Sequence, residues 1–180
     1  MDVQQLSAWI AEVLGTPTPP LERVGYGASR ATYLAGAFVA RVDTGDGPMA
    51  GTELSLHREA MAYRALAASE VRIPRLRAES PDGTVLLIER APGTHELTAL
   101  DDAARAAVYD DYIDALAELH QVYTTSLDLP GYRRPTDGPS HAREELELWR
   151  TILETRTTGP WSLARFALAV LDRQAPVRVS

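Results

Sequence analysis

Cysteine, lysine and asparagine are all missing from this chain of 180 residues. Without cysteine there is no disulfide framework, no thiol nucleophile and no cysteine-ligated metal. Without lysine there is neither a Walker-type phosphate loop nor Schiff-base chemistry, since both need that side chain. All 18 basic residues are arginine, and 25 acids outnumber them for a net charge of -7. That balance argues against a sequence-independent grip on nucleic acid, which needs a basic stripe. No apolar run approaches membrane-spanning length. The start, Met1-Asp2-Val3-Gln4-Gln5, lacks the basic-then-apolar pattern of a secretion signal. Neither nucleic acid nor a membrane is therefore expected as a partner, and the expected location is the cytoplasm.

What is present suits a packed globular chain: 45% of residues are hydrophobic and 24% charged. The length fits one domain or one large domain of two lobes. Leu6, Ile10 and Val13 recur at helical spacing, with Asp2 as a cap and Gly15 as a stop, so Asp2 to Leu14 reads as a helix. After a proline-rich break, strands are expected over Leu21–Tyr26, Ala31–Leu34 and Ala37–Asp43, with a turn at Gly36. A glycine-containing loop to Gly51 precedes a helix over Thr52–Ala68, capped by Thr52. Arg75–Glu79 and Val85–Arg90 form a strand pair around Pro81-Asp82-Gly83. Helices then follow over Asp101–Val122, Arg143–Arg156 and Trp161–Gln174, before a strand-like stub, Val177-Arg178-Val179-Ser180. The expected class is α+β, an antiparallel sheet lobe with one inserted helix followed by helices, divided near residue 92 into 1–92 and 93–180.

Several positions in this order could carry chemistry. Gly25-Tyr26-Gly27-Ala28-Ser29 stands between two strands, where glycine lets backbone N–H groups approach a phosphate. Arg30 occupies the place of a third glycine and a strand follows, so the loop matches the phosphate lid of kinase-like folds rather than a dinucleotide fingerprint. An ordinary hairpin turn accounts for the same glycines. Arg41 lies on the third strand and Glu59 on the next helix, as do the cation that grips the phosphates in a kinase-like lobe and the acid that orients it. An exposed strand arginine and a solvated helix glutamate are the plainer alternative. Glu89 and Ala91 end a buried strand at a Pro-Gly break, where backbone groups can face an adenine edge.

The four histidines, His57, His95, His120 and His141, show no zinc spacing, and His120 reads as a packed or hydrogen-bonded structural residue. Ser140-His141 lacks the Gly-x-Ser-x-Gly elbow of a hydrolase. The pairs Asp101-Asp102, Asp110-Asp111 and Glu144-Glu145 read as solvated helix faces.

Taken in order, these pieces resemble the aminoglycoside phosphotransferase family of small-molecule kinases, which has a protein-kinase-like fold. The resemblance rests on Gly27-Ala28-Ser29-Arg30-Ala31-Thr32-Tyr33, Phe38-Val39-Ala40-Arg41, His57-Arg58-Glu59 through Leu66, Ile73-Pro74-Arg75, Ile88-Glu89-Arg90-Ala91-Pro92-Gly93, and Leu116-Ala117-Glu118-Leu119-His120. It covers nearly the whole chain, and Arg143 to Trp149 resembles a later helix of the family.

The resemblance implies ATP and Mg2+ as cofactors and a small substrate that offers a hydroxyl. It implies nucleotide-binding roles for Gly25, Gly27, Ala28, Ser29, Arg41, Glu59, Glu89 and Ala91. The family's catalytic loop, His-x-Asp with Asn five residues later, and its following metal-binding Asp have no counterpart, because the chain holds no His-x-Asp and no asparagine. No catalytic residue and no magnesium ligand is therefore assigned. The expectation is the amino-terminal portion of a phosphotransferase, inactive alone and ending short of the catalytic loop. The alternatives are a non-catalytic nucleotide-binding or regulatory module, or half of a two-chain assembly. A cut helical lobe would expose Leu163, Phe166, Leu168 and Leu171 and favour self-association.

Overall fold

The computed structural model describes residues 1–25, 30–45, 52, 54–93, 96–134, 137–156 and 159–174. Two compact units divide the chain, Met1–Leu129 and Pro130–Ser180, and the expected lobe boundary near residue 92 falls inside the first.

The first unit opens with helix α1, Val3–Leu14. Asp2 caps it reciprocally: the Gln5 N–H donates to Asp2 Oδ1 at 2.8 Å, and the Asp2 N–H donates to Gln5 Oε1 at 2.9 Å. Strands β1 (Glu22–Val24), β2 (Arg30–Ala35) and β3 (Phe38–Asp43) come next, followed by helix α2 (Leu56–Leu66) and strands β4 (Leu76–Glu79) and β5 (Val85–Glu89). All neighbours are antiparallel, in the order β1-β2-β3-β5-β4, so β3 is central and the inserted helix separates it from its partner β5. This is the α+β arrangement that the sequence leads one to expect.

Alternation sorts the side chains to two faces. Ala31 and Ala35, Ala40 and Val42, and Val85 and Leu87 pack against Leu6 and Ile10 of α1. Leu86 packs on the other face with Leu56 and Ala60 of α2, and Leu76 leans on that cluster. With both faces covered, Val85 to Ile88 is a continuous buried apolar run. The β2–β3 turn needs Gly36, whose φ is +63° and whose added Cβ would meet Pro19 Cγ at 3.1 Å.

Helix α2 begins later than its sequence signal. Thr52 does not cap it; its hydroxyl accepts from the Leu54 N–H at 3.2 Å, a local turn that competes with helix. Ser55 is the cap, accepting from the Arg58 N–H at 3.2 Å.

The β4–β5 turn is held by one carboxylate. Asp82 Oδ1 accepts from the hydroxyls of Ser80 (2.6 Å) and Thr84 (2.9 Å) and from the Thr84 N–H (3.2 Å), while the buried Ser80 hydroxyl accepts from the Val85 N–H at 2.9 Å. The Ser80 hydrogen bond is the main cause that holds the Asp82 carboxyl below its ordinary range, with Thr84 contributing. A depressed folded-state pKa means that this contribution is present above the unfolded-state pKa and is lost as pH falls through the folded one. Asp82→Ala is expected to destabilise the unit by roughly 1 kcal/mol at neutral pH. Urea melts of both proteins between neutrality and about pH 3 should show the gap closing only on the acid side of the ordinary carboxylate pKa. A gap independent of pH would mean that the turn does not depend on the ionised carboxylate.

Helix α3, Asp102–His120, starts at Asp101, which accepts from the Ala104 N–H at 2.8 Å. It buries none of its residues. Arg72 ties it to the segment before β4, reaching Asp111 Oδ1 at 2.6 Å and Glu118 Oε2 at 3.1 Å. Asp111 is therefore paired rather than merely solvated. His120, expected to be packed or hydrogen-bonded, is exposed in the last turn instead. A helix with no buried face gives it nothing to pack against.

The second unit contains helices α4 (Gly138–Arg156) and α5 (Ser162–Gln174), which pack on each other. Helix α4 starts before the expected Arg143, because Asp137 accepts from the Ser140 N–H at 2.7 Å and Pro139 is tolerated in a first turn. Leu163, Phe166 and Leu171 are exposed, as expected. Leu168 departs from that expectation: it is buried, as is Ile152 of α4. The strand expected at Val177–Ser180 lies outside the described residues.

Candidate functional site

The periodicity that buries Ala40 and Val42 against α1 sends Arg41 to the opposite face, across from Thr32 on β2 and Leu86 on β5. On α2, burial of Leu56 and Ala60 against the sheet places Glu59 on the same side, above that face. Glu59 Oε1 accepts from Arg41 Nη1 in a direct ion pair. Its second oxygen, Oε2, accepts from Arg30 Nη1 at 3.0 Å. Arg30 also donates through Nη2 to the Leu54 carbonyl at 2.6 Å, which ties the first residue of β2 to the approach to α2. The side chains of Arg30, Arg41 and Glu59 are 23%, 29% and 22% exposed, so the cluster is screened by protein yet reachable.

Two guanidiniums share one carboxylate, which leaves net positive charge at the cluster. Burial, and secondly the like charge of Arg30, lower the pKa of Arg41 from its ordinary value. An arginine so shifted still stays protonated at neutral pH, because the starting value lies so far above it. A partly desolvated cation with fixed fork geometry, held by a carboxylate behind it, is chemically suited to an oxyanion in front.

Gly25 closes the first strand at φ +71°, and Arg30 reopens the sheet. The rest of the expected loop, Gly27, Ala28 and Ser29, lies outside the described residues. Glu89 ends β5, opposite Phe38 on β3, with its N–H donating to the Arg75 carbonyl at 2.9 Å. The Arg90 N–H donates to the Ala37 carbonyl at 2.9 Å, and Ala91 follows, exposed. Arg41 pairs with Leu86, three residues from Glu89 along β5, so these two stations are about 10 Å apart on adjacent strands.

Sequence reasoning missed Arg30 as a member of this cluster. Its only signal was its place beside the glycine loop, at the start of a strand paired to that of Arg41. It also missed Glu79, whose carboxylate, almost wholly enclosed, takes His57 Nδ1 at 2.5 Å and Arg64 Nη2 at 2.6 Å, binding α2 to β4. Among the described residues no group of three His, Asp or Glu side chains is placed to hold a metal ion. The donors present, two arginines and one already paired carboxylate, fit a phosphate anion and do not fit magnesium.

A five-stranded antiparallel sheet with a helix laid over it, a third-strand cation paired to an acid of that helix, and helices afterwards define a protein-kinase-like fold. The chain belongs to the phosphotransferase enzyme family, whose profile it matches over residues 20–179. Comparison with curated proteins gives no significant match.

Among solved structures, the fold is similar to the gentamicin complex of APH(2″)-IIa, with a TM-score of 0.64 at 17% identity. It is similar to the streptomycin–ATP complex of the same protein, with a TM-score of 0.62 at 17% identity. In both cases 96% of this chain and 57% of that one are covered. The GDP complex of aminoglycoside 2′-phosphotransferase-IIIa aligns with a TM-score of 0.59 at 13% identity, over 96% of this chain and 59% of that one. The chain thus spans less than two thirds of the length of these structures.

Proposed function

We propose that this chain supplies the nucleotide-binding part of an ATP-dependent phosphotransferase that phosphorylates a hydroxyl of a small substrate. The observation that carries the reading is the Arg41–Glu59 pair, reinforced by Arg30. In this reading Arg41 contacts the α/β-phosphates and Glu59 fixes its direction. Gly25, Gly27, Ala28 and Ser29 form the lid over the phosphates. The backbone at Glu89 and Ala91 faces the adenine edge, with strand β3 spanning the distance between base and phosphates. Transfer itself calls for a base at the substrate hydroxyl and for Mg2+ to neutralise the phosphates. No residue of this chain is assigned to either role, so its part is binding and orientation.

The expected result is saturable binding of a non-hydrolysable ATP analogue by the 180-residue chain, without release of phosphate from ATP. Isothermal titration and a phosphate-release assay measure the two halves of that statement. Absence of binding would sink the nucleotide role. Turnover by the pure chain would sink the division of labour.

A further inference from the structure

Arg30 and Arg41 meet Glu59 from different directions and are held to different degrees. Arg30 stands opposite Asp43 and Arg41 opposite Thr32, so the two are diagonal neighbours on the α2-facing side of the sheet. Each takes its own oxygen of Glu59, Arg41 at Oε1 and Arg30 at Oε2. Arg30 is engaged at both terminal nitrogens, because its Nη2 also donates to the Leu54 carbonyl at 2.6 Å. Leu54 immediately precedes Ser55, the cap of α2, so that bond anchors Arg30 to the backbone where the helix begins. Arg41 reaches Glu59 through Nη1 alone; among the described residues its Nε and Nη2 have no hydrogen-bond partner. One guanidinium is therefore clamped, and the other keeps donors to spare.

We propose that Arg30 is a positioning residue for the nucleotide phosphates, holding Glu59, and through it the fork of Arg41, in the direction that a phosphate meets. The inference rests on the nucleotide reading above and adds to it a residue that does not itself touch the ligand. A phosphate bound at Arg41 competes with Glu59 for the same guanidinium. With Arg41 as its only partner, the Glu59 side chain, 22% exposed, is free to swing toward solvent, and the cation loses its direction. Arg30 removes that freedom before the ligand arrives, since a carboxylate also bonded to an anchored cation keeps its rotamer. The ordering cost is then met in the fold rather than at binding. Arg30 likewise keeps Glu59 from standing uncompensated once Arg41 turns to the phosphate. A neutral side chain at position 30 supplies neither effect. Lysine supplies the charge without the flat fork that spans the Glu59 and Leu54 acceptors.

The test is isothermal titration of the full chain with a non-hydrolysable ATP analogue and, separately, with adenosine, which has no phosphate. Arg30→Gln is expected to weaken binding of the analogue by about tenfold and to leave adenosine binding as in the parent. Arg30→Lys should lie between, at about a threefold loss. In R30Q/R41A the loss should equal that of Arg41→Ala alone, because Arg30 acts only through Arg41. Thermal melts report folding, and Arg30→Lys carries the comparison if Arg30→Gln does not fold. The inference is overturned if the folded Arg30 variants bind the analogue as the parent does while Arg41→Ala does not, a result that leaves the nucleotide reading standing. It is overturned as well if adenosine binding weakens equally, which marks a plain structural tie between β2 and α2. Losses that add in the double variant also overturn it, since they mark direct contact of Arg30 with phosphate. If the parent binds no analogue at all, the nucleotide reading fails and this inference falls with it.

Discussion

Arg41→Ala is expected to weaken binding of an ATP analogue by about 10- to 100-fold, the loss of one charge-assisted contact to phosphate. The fold should tolerate the change, because Glu59 keeps Arg30 as a partner at 3.0 Å and is not left as an uncompensated charge. Arg41 is also only half-buried at the edge of the α2-facing cluster, so its removal opens no sealed cavity. Binding should therefore fall with little change in the melting temperature. Arg41→Lys should lie between the two, since an ammonium keeps the charge but not the fork that reaches Glu59 and a phosphate together. Isothermal titration of the three proteins at matched ionic strength decides the matter. If all three bind alike, Arg41 is a structural tie between β3 and α2 and the phosphate role is wrong.

Leu87→Ala should produce the largest loss of stability of any single change in the sheet, about 2–5 kcal/mol, out of the roughly 5–15 that a domain possesses. Leu87 is fully buried at the middle of β5, between Ala40 on β3 and Ala78 on β4. Around it the α1-facing core includes three alanines, Ala31, Ala35 and Ala40, beside the bulkier Leu6, Ile10, Val42 and Val85. Alanines have no longer side chain to swing into the space a deleted leucine leaves. The cavity therefore persists, and its cost adds to the lost transfer energy. Urea unfolding followed by tryptophan fluorescence measures the difference through Trp9, which packs on this cluster. A loss under about 1 kcal/mol would show that α1 settles into the gap and that the layer is looser than its burial implies.

Several local signals in this chain were legible in the sequence. Asp2, Gln5 and Gly15 bracket α1 through short-range hydrogen bonds, and Pro81-Asp82-Gly83 turns β4 into β5 through the side chain of Asp82. Period-two alternation placed the strands, and only their ends moved, with β1 shrinking to Glu22–Val24. The misplaced helix starts have the same kind of cause. Thr52, Ser55 and Asp137 all carry capping side chains, and which of them caps depends on where the preceding backbone is held. In α2 one such tether is long-range, the Arg30 hydrogen bond to the Leu54 carbonyl.

Composition and order of elements by themselves determined the class of fold, the exclusion of thiol and lysine chemistry, and the nomination of Arg41 and Glu59, because each of these depends on residue type and local period. Only the tertiary structure decided that one carboxylate serves both Arg30 and Arg41, that β5 rather than β4 lies beside β3, and that Glu79 joins α2 to β4. The ion pairs among those contacts link residues 15 to 29 positions apart, and the Arg72 bridge to Glu118 spans 46. Their partners are chosen by how the sheet registers and where the helix lies across it. A charged side chain carries no mark of its eventual partner along the chain; the geometry that brings two of them within hydrogen-bonding distance is set by burial of the apolar residues between them.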